Sequence, residues 1–173
     1  PNPRLIMELD DFKLSRSLKK SMKKFEYKFD TNFKQVITNC SNAYRKGQDG
    51  TWIQNDIIEA YESLHNMGIV HSIESYKDGK LVGGLYGLSV GKLFCGESMF
   101  HYATNASKLA MFYLVELLRQ NGCEFIDCQL QNDHLASLGC IEIPRAEFLN
   151  KLKEAVKRPM EQSLWLPREL TQP

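Results

Sequence analysis

Residues 69–98, IVHSIESYKDGKLVGGLYGLSVGKLFCGES, decide the fold class, because apolar and polar residues alternate there after a region with helical spacing. The dipeptide Asp78-Gly79 between two such runs predicts a type I′ turn, a common two-residue connection in β-hairpins. A third run, KLFCGES, follows Gly91. The segment therefore predicts an antiparallel meander of three strands.

The segments on both sides of this meander carry helix, turn and strand signals. They are a helix capped by Ser15 through about Lys24, the strand EYKFDTN (26–32), helices from Phe33 to about Tyr44 and from Asn55 or Asp56 to Gly68, a turn at 47–50, a helix capped by Asn105 and ended by Gly122, the strand EFIDCQL (124–130), and a helix from Pro144 to about Leu152. This mixed order predicts an α+β fold in which helices cover a central sheet.

Length and composition limit the class of protein. With 173 residues and 43% hydrophobic content, the chain can bury one substantial core, so we expect one folded unit with irregular termini. No apolar run is long enough for a membrane span, and the first residues do not resemble a targeting peptide. Five cysteines without paired C-x-x-C motifs suit a reducing compartment, and we therefore expect a cytoplasmic protein.

The formal charge of +1 conceals an uneven distribution along the chain. Residues 1–34 hold nine Lys or Arg and five Asp or Glu, whereas residues 35–144 hold seven and twelve. The stretch from Lys13 to Lys34 is the most basic, with eight basic and two acidic residues. Two interpretations fit this stretch: a contact with a polyanion, or the solvated face of an amphipathic helix.

The strand EFIDCQL carries the strongest chemical signal. Alternation places Asp127 and Gln129 on one face and Ile126 on the other. A buried carboxylate is costly unless it is paired or hydrogen-bonded, so this pair favours a functional site. The alternative is that Asp127 braces the following turn. A bulge or a strand end is needed if Ile126 and Asp127 are to line one site.

Glu97, at the end of the meander, is a second candidate, because a carboxylate there can bind a cation or orient a base. The alternative is an ordinary solvated side chain. The four histidines are scattered, and none belongs to an obvious nucleophile motif in the sequence. Four potential ligands do not have the spacing of the usual zinc sites, so we expect no metal; they are Cys123, Cys128, His134 and Cys140.

Two motif matches fail on their context. The G-x-S-x-G match at 87–91 needs a strand, a turn and a helix, but a strand follows it, so we do not expect a serine hydrolase. Residues 119–124, RQNGCE, resemble the start of an acetyl-CoA loop, yet they follow a helix instead of opening one. Glu124 also stands where that loop requires a small residue, which disfavours phosphate binding.

Several long blocks resemble the bacterial leucyl/phenylalanyl-tRNA–protein transferase family. They are LVGGLYGLSVGKLFCGESMF (81–100), NASK (105–108), IDCQLQNDHLASLGCIEIPR (126–145), GTWI (50–53), AYESLHNMGIVHSIE (60–74) and SRSLKK (15–20). The blocks cover nearly the whole chain. The resemblance implies a GNAT-like fold that uses no acetyl-CoA.

The resemblance implies an aminoacyltransferase that moves Leu, Phe or Met from the 3′ end of an aminoacyl-tRNA to the N-terminal Arg or Lys of a protein. This marks the acceptor for N-degron degradation. Aminolysis of the ester needs no cofactor, no metal and no covalent intermediate. We expect a monomer with no membrane contact, divided into a basic N-terminal segment at about 1–34, a catalytic core at about 35–153 and an irregular C-terminal tail.

The resemblance also implies roles for individual residues. Asp127 polarises the attacking amine through Gln129, and Glu97 helps to hold the cationic acceptor. The implied pocket for the donor side chain, for which ordinary core packing is a compatible alternative, consists of Leu85, Phe94, Met99, Met111, Leu114, Leu118 and Ile126. The implied contacts with the tRNA 3′ end, the acceptor stem and the peptide are Trp52, Asn132, Arg16, Lys19, Lys20, Lys23 and Lys24.

Family members carry a further N-terminal region that supplies part of the nucleotide contacts. The sequence as given does not include that region, and for such a chain we expect weaker tRNA binding or an inactive fragment. Two alternatives to the transferase remain open from the sequence. One is a non-catalytic GNAT-like module that binds basic N-terminal peptides or tRNA ends, and the other is a related acyltransferase that uses another donor.

Overall fold

The computed structural model describes residues 1–43 and 50–171, which form six helices and eight strands besides short 3₁₀ turns. The strands are β1 (Arg4–Glu8), β2 (Glu26–Phe29), β3 (Val70–Lys77), β4 (Lys80–Val90), β5 (Leu93–His101), β6 (Phe125–Gln129), β7 (Ile141–Ile143) and β8 (Arg168–Leu170). The helices are α1 (Arg16–Ser21), α2 (Phe33–Asn42), α3 (Asn55–Asn66), α4 (Ala106–Gln120), α5 (Asp133–Ser137) and α6 (Arg145–Lys157). The predicted α+β class, with helices covering a central sheet, is confirmed.

All eight strands belong to one sheet, in the order β7-β1-β6-β5-β4-β3-β2-β8. Neighbouring strands run antiparallel except β5 and β6, which run parallel and are connected through α4. A parallel pair needs such a crossover, because the chain must return to the same end of the sheet before the second strand begins. The strand that carries Asp127 is thereby placed beside the last strand of the meander.

The predicted meander is confirmed as β3, β4 and β5. Asp78 and Gly79 have φ values of 51° and 72°, the two left-handed positions that a type I′ turn requires. The predicted helices at Phe33 and Asn55 are also confirmed, and Gly68 ends the second of them with a φ of 73°. Tyr44 and residues 47–49 of the predicted turn lie outside the described residues.

The sheet buries a different cluster of side chains on each face. Leu85 and Ile126 belong to the largest cluster, which contains α4, while Tyr86 packs with α2 and Phe125 packs with α6. Neighbouring residues of one strand point to opposite faces. The cluster with α4 therefore lies on one face of the sheet, the α4 face, and the clusters with α2, α3 and α6 lie on the other.

Three expectations about local structure are wrong. Segments near both ends of the described residues belong to the sheet and are not irregular, because β1 lies between β6 and β7, and β8 pairs with β2. Asn105 precedes α4, but it adopts a φ of 71° and makes no cap hydrogen bond; its amide instead donates to the Ser21 hydroxyl at 3.1 Å. The last helix extends to Lys157, because its apolar stripe continues beyond Leu152 to buried Ala155.

In the part of the chain that the structure describes, no helix is both long enough and apolar enough to cross a membrane.

Candidate active site

The site begins where β5 and β6 separate. These parallel strands pair only at Phe94 with Ile126 and at Cys95 with Asp127, although β5 continues to His101. Beyond Cys95 the two backbones are joined by a side chain, because the Gln129 amide nitrogen Nε2 donates to the Gly96 carbonyl at 2.9 Å. The result is a gap between two neighbouring strands that is bridged by a polar side chain.

Asp127 is held by an arginine from the other end of the chain. Arg4 on β1 donates from Nε to Asp127 Oδ1 at 2.8 Å and from Nη2 to Oδ2 at 2.7 Å. The Asp127 side chain is 3% exposed and the Arg4 side chain 18% exposed, so the ion pair is largely shielded from water. A two-pronged pair of this kind fixes the plane of the carboxylate as well as its position.

Gln129 leaves the regular strand conformation. Its φ is 69°, and its backbone N–H donates to Asp127 Oδ1 at 3.1 Å. The contact between Asp127 and Gln129 therefore runs through the Gln129 backbone, whereas the Gln129 side chain faces Gly96 and Glu97. With Nε2 committed to those two acceptors, the carbonyl Oε1 is the atom of this side chain that can accept from an incoming amine.

Glu97 lies in a β-bulge. The pairing of β4 with β5 passes from Tyr86–Ser98 to Gly87–Gly96, which leaves Glu97 as the extra residue. Gly87 is required opposite the bulge, because a Cβ there would lie 2.1 Å from the Cys95 carbonyl oxygen. The bulge directs the Glu97 carboxylate toward Gln129, whose Nε2 lies 3.4 Å from Glu97 Oε1.

The Glu97 carboxylate lies in a partly dry environment. Burial raises the pKa of Glu97 above its ordinary value, and hydrogen bonds from Tyr61 and Gln129 offset part of that rise. Burial likewise raises the pKa of Tyr61 to about 12, so its hydroxyl stays protonated and donates to Glu97. Burial also raises the pKa of the neighbouring Cys95 thiol to about 12, which keeps it from acting as a nucleophile near neutral pH.

Trp52 lies at the rim of the site. Its ring is 6.4 Å from the Tyr61 ring in an edge arrangement, and Tyr61 in turn contacts Glu97. Trp52 is 50% exposed, which leaves much of the indole available to a ligand. Trp52 is therefore not a buried core residue.

The residues expected to line the donor pocket lie together, but as packed core. All except Met99 are at most 3% exposed, and all contact the cluster around α4; they are Leu85, Phe94, Met99, Met111, Leu114, Leu118 and Ile126. Ile126 and Asp127 lie on opposite faces, as the alternation predicts. Met99 is partly exposed, so this cluster meets solvent there.

The other predicted contacts lie apart from the gap. Asn132 caps α5, because its Oδ1 accepts from the Leu135 backbone N–H at 2.8 Å. The basic residues are exposed on α1 and the turn after it, while Leu18 and Met22 of the same segment pack into the α4-face cluster; these basic residues are Arg16, Lys19, Lys20, Lys23 and Lys24. The structure thus brings Glu97, Gln129 and Asp127 together and leaves the basic segment separate from them.

One set of side chains has the composition of a metal site. Asp30, His65 and His71 hold potential ligand atoms within 4.8 Å of one another. Each has a hydrogen-bond partner: His71 Nδ1 contacts Asp30 at 2.8 Å and Nε2 contacts the Gly68 carbonyl at 3.1 Å, while His65 Nδ1 contacts the Val70 carbonyl at 2.8 Å. These hydrogen bonds explain why the three side chains lie together, because they brace the start of β3.

Arg4 and Tyr61 are the site residues that sequence reasoning misses. Arg4 is 123 residues away from Asp127, and no local pattern joins them. In the sequence, Tyr61 has the spacing of an apolar position on the same face of α3 as Ile57 and Ile58, so nothing marks it as a site residue. One available signal is the cost of burying Asp127, which demands a cationic partner somewhere in the chain.

The sequence matches one protein family over most of its length. A profile of the family described as "Leucyl/phenylalanyl-tRNA protein transferase" matches residues 6–153. The chain is 67% identical over 175 residues to a Pseudoalteromonas atlantica protein named "Leucyl/phenylalanyl-tRNA--protein transferase", with 100% of this chain and 74% of the relative covered.

Solved structures also resemble the fold. A conserved protein of unknown function from Staphylococcus epidermidis superposes with a TM-score of 0.52 at 12% identity, covering 82% of this chain and 57% of that one. At this identity the likeness concerns the fold alone. A GCN5-related N-acetyltransferase from Kribbella flavida has a TM-score of 0.48 at 10% identity, covering 82% of this chain and 55% of that one.

Proposed function

The chain belongs to the leucyl/phenylalanyl-tRNA–protein transferase family, and we propose that it moves Leu, Phe or Met from an aminoacyl-tRNA to the N-terminal Arg or Lys of acceptor proteins. It is an aminoacyltransferase, and its substrates are an aminoacyl-tRNA and a protein. The choice of Arg or Lys, the marking of the acceptor for degradation, the cytoplasmic location and the monomeric state belong to the proposal.

The observation that carries the proposed site is the contact between Gln129 and Glu97 at the gap between β5 and β6. An acceptor amine placed there meets the Gln129 carbonyl oxygen and the Glu97 carboxylate together. The first accepts a hydrogen bond from the amine and orients its lone pair. The second attracts the positive charge that an N-terminal ammonium carries at neutral pH.

The reaction is an aminolysis. The acceptor nitrogen attacks the carbonyl carbon of the aminoacyl ester, the bond from that carbon to the ribose oxygen breaks, and an amide bond forms. An acceptor that arrives as an ammonium first gives up one proton to solvent and becomes the nucleophilic amine. As the amide forms, that amine loses one further proton and the ribose oxygen takes one up, so that the tRNA departs with a free hydroxyl. Glu97 is the group at the gap that can hold this proton in transit, because burial raises its pKa toward the working range of a base.

The donor side chain would enter on the α4 face of the gap. Met99 is partly exposed there, at the edge of the cluster that contains Met111 and Leu118. Flexible Met and γ-branched Leu side chains can adjust to Leu, Phe or Met, whereas a β-branched donor is stiff next to its carbonyl. The packed state of this cluster means that donor binding requires side chains to move.

The tRNA would contact two surfaces. Trp52 offers a ring on which the terminal adenine can stack, and stacking of this kind is worth about 1–3 kcal/mol per base. The exposed basic residues of α1 and the following turn would meet acceptor-stem phosphates without reading sequence, as cationic side chains generally do. Asn132 would contact the peptide or the aminoacyl end through its Nδ2 donors, because its Oδ1 accepts the cap hydrogen bond.

The test supplies labelled Leu-tRNA and a peptide that begins with Arg or Lys. We expect transfer to both peptides, and none to the same peptide with an acetylated N-terminus, because the acetyl group removes the nucleophile. Transfer at the wild-type rate by both Asp127→Ala and Gln129→Ala would refute the proposed site. Binding of Leu-tRNA without any transfer would instead favour a non-catalytic module.

A further inference from the structure

We infer that Arg4 is a positioning residue of the transferase site, which acts through Asp127 on the orientation of Gln129. The inference rests on the proposed function for its kinetic part. Arg4 itself touches no substrate. Its effect on the orientation of Gln129 can be measured without turnover.

Arg4 reaches the site because of where β1 lies. This strand pairs with β6 on one side and β7 on the other, so its side chains lie directly beside Asp127. The pairing passes from Leu5–Gln129 to Ile6–Asp127, which leaves Cys128 as an extra residue. A bulge of this kind re-aims the side chains next to it.

The guanidinium is itself held in place. Its carbon lies 5.1 Å from the centre of the Phe148 ring on α6, and two of its nitrogens bind the two Asp127 oxygens. Bonding to Asp127 raises the pKa of Arg4 above its ordinary value, so its charge is permanent at any working pH. A planar fork stacked on an aromatic ring suits arginine and not lysine.

Asp127 transmits this constraint to Gln129. Asp127 Oδ1 accepts from Arg4 Nε and also from the Gln129 backbone N–H, so the carboxylate links the two residues. The Gln129 backbone has a left-handed φ of 69°, which a residue other than Gly adopts at a cost unless its surroundings hold it. Without Arg4 the buried carboxylate loses its counter-charge and its fixed plane, so the acceptor of the Gln129 backbone N–H is no longer held in one orientation.

The chain from Arg4 to Gln129 ends at the reacting amine. Gln129 presents its side chain to Gly96 and Glu97 from this held backbone, and a displacement of the reacting groups by about 1 Å can cost about 100-fold in rate. Asp127 is 2% exposed and so contacts no substrate either. Both residues therefore affect the rate of the chemical step more than the binding of substrates.

The kinetic test compares Arg4→Met, Arg4→Lys, Asp127→Asn and the double variant Arg4→Met with Asp127→Asn. We expect Arg4→Met to lower kcat by about 10- to 100-fold and to change the KM values less than about threefold. Arg4→Lys should recover part of the loss, because it restores the charge without the fork. On the Asp127→Asn background, Arg4→Met should cost less than about twofold more, because both changes break the same chain of contacts.

The matched control is Lys151→Met, which breaks another ion pair of β1, that with Glu8 at 2.8 Å. This variant should keep kcat within about twofold of the wild-type value. Any of three results would overturn the inference. They are an unchanged kcat in folded Arg4→Met, a loss of kcat in the double variant equal to the product of the two single losses, and a loss of kcat in Lys151→Met equal to that in Arg4→Met. If Arg4→Met does not fold, Arg4→Lys carries the comparison.

A second measurement does not depend on activity. The side-chain amide signals of Gln129 in a ¹H–¹⁵N spectrum are identified by their loss in Gln129→Glu. They should shift in Arg4→Met and in Asp127→Asn but stay in place in Lys151→Met. Unmoved signals in Arg4→Met overturn the inference even if the wild-type chain transfers nothing, whereas shifted signals with an inactive wild-type chain would count against the proposed function alone.

Discussion

Replacing Glu97 with Gln removes a charge from the gap between β5 and β6 while keeping the size of the side chain. The Glu97 carboxylate is the half-buried acceptor beside Gln129 and Tyr61, and an incoming ammonium would add a charge-assisted hydrogen bond to it. Such a bond contributes about 1.5–3 kcal/mol, which corresponds to about 10- to 150-fold in rate. We therefore expect kcat/KM for an Arg-initiated peptide to fall by about that factor.

The assay follows transfer of labelled Leu from Leu-tRNA at peptide concentrations below KM. Glu142→Gln is the matched control, because Glu142 is an exposed carboxylate on edge strand β7. It should leave kcat/KM within about twofold of the wild-type value. Equal values for Glu97→Gln and Glu142→Gln would refute the role of the Glu97 charge in holding the acceptor.

The pH dependence of wild-type activity has a definite sign, and Glu97→Gln tests it. Burial raises the pKa of Glu97, so as the pH falls the carboxylate takes up its proton earlier than an ordinary Glu does. Activity that needs the charge is lost on that acid side, and the Glu97→Gln profile should lack this limb. The same rise means that ionised Glu97 opposes folding, so wild-type stability decreases as the pH rises from the ordinary Glu pKa through the raised one.

Substitutions at three other positions have expected outcomes. Trp52→Ala should raise KM for Leu-tRNA by about 5- to 150-fold with little change in Tm, because half of the ring is exposed, and Trp52→Phe should keep most of the affinity. Leu118→Ala should lower the free energy of unfolding in urea by about 2–5 kcal/mol, because the side chain is fully buried against the sheet. Gly87→Ala should cost about 1–3 kcal/mol or more in the same measurement, since the new methyl group would collide with the Cys95 carbonyl.

The meander and the strand EFIDCQL could be predicted from the sequence, because local signals determine them. The hairpin at Asp78-Gly79 needs two left-handed residues, and the alternation along β6 places Ile126 and Asp127 on opposite faces. The bulge at Cys128 interrupts this alternation before Gln129, so the strand period does not determine the direction of the Gln129 side chain. Strand β1 could not be predicted in this way. It is five residues long, and its pairing partner β6 begins more than a hundred residues later.

The site shows the same division between local and distant information. The cost of burying Asp127 singles out that residue, but the identity of its partner, Arg4, depends on a strand pairing that no nearby residue specifies. The bulge at Glu97 is likewise a property of the pairing between β4 and β5. The sequence suggests a direct link between the Asp127 and Gln129 side chains, whereas the structure links Asp127 to the Gln129 backbone and Gln129 to Glu97.

The most direct test of the proposed site is the single-turnover rate of Leu transfer by Gln129→Ala at saturating peptide. Gln131→Ala serves as the matched control, because Gln131 is an exposed amide two residues further along the chain. If Gln129 orients the attacking amine, Gln129→Ala should slow transfer by about 100-fold or more, while Gln131→Ala remains near the wild-type rate. Equal single-turnover rates for the two variants would contradict the placement of the reaction at this gap.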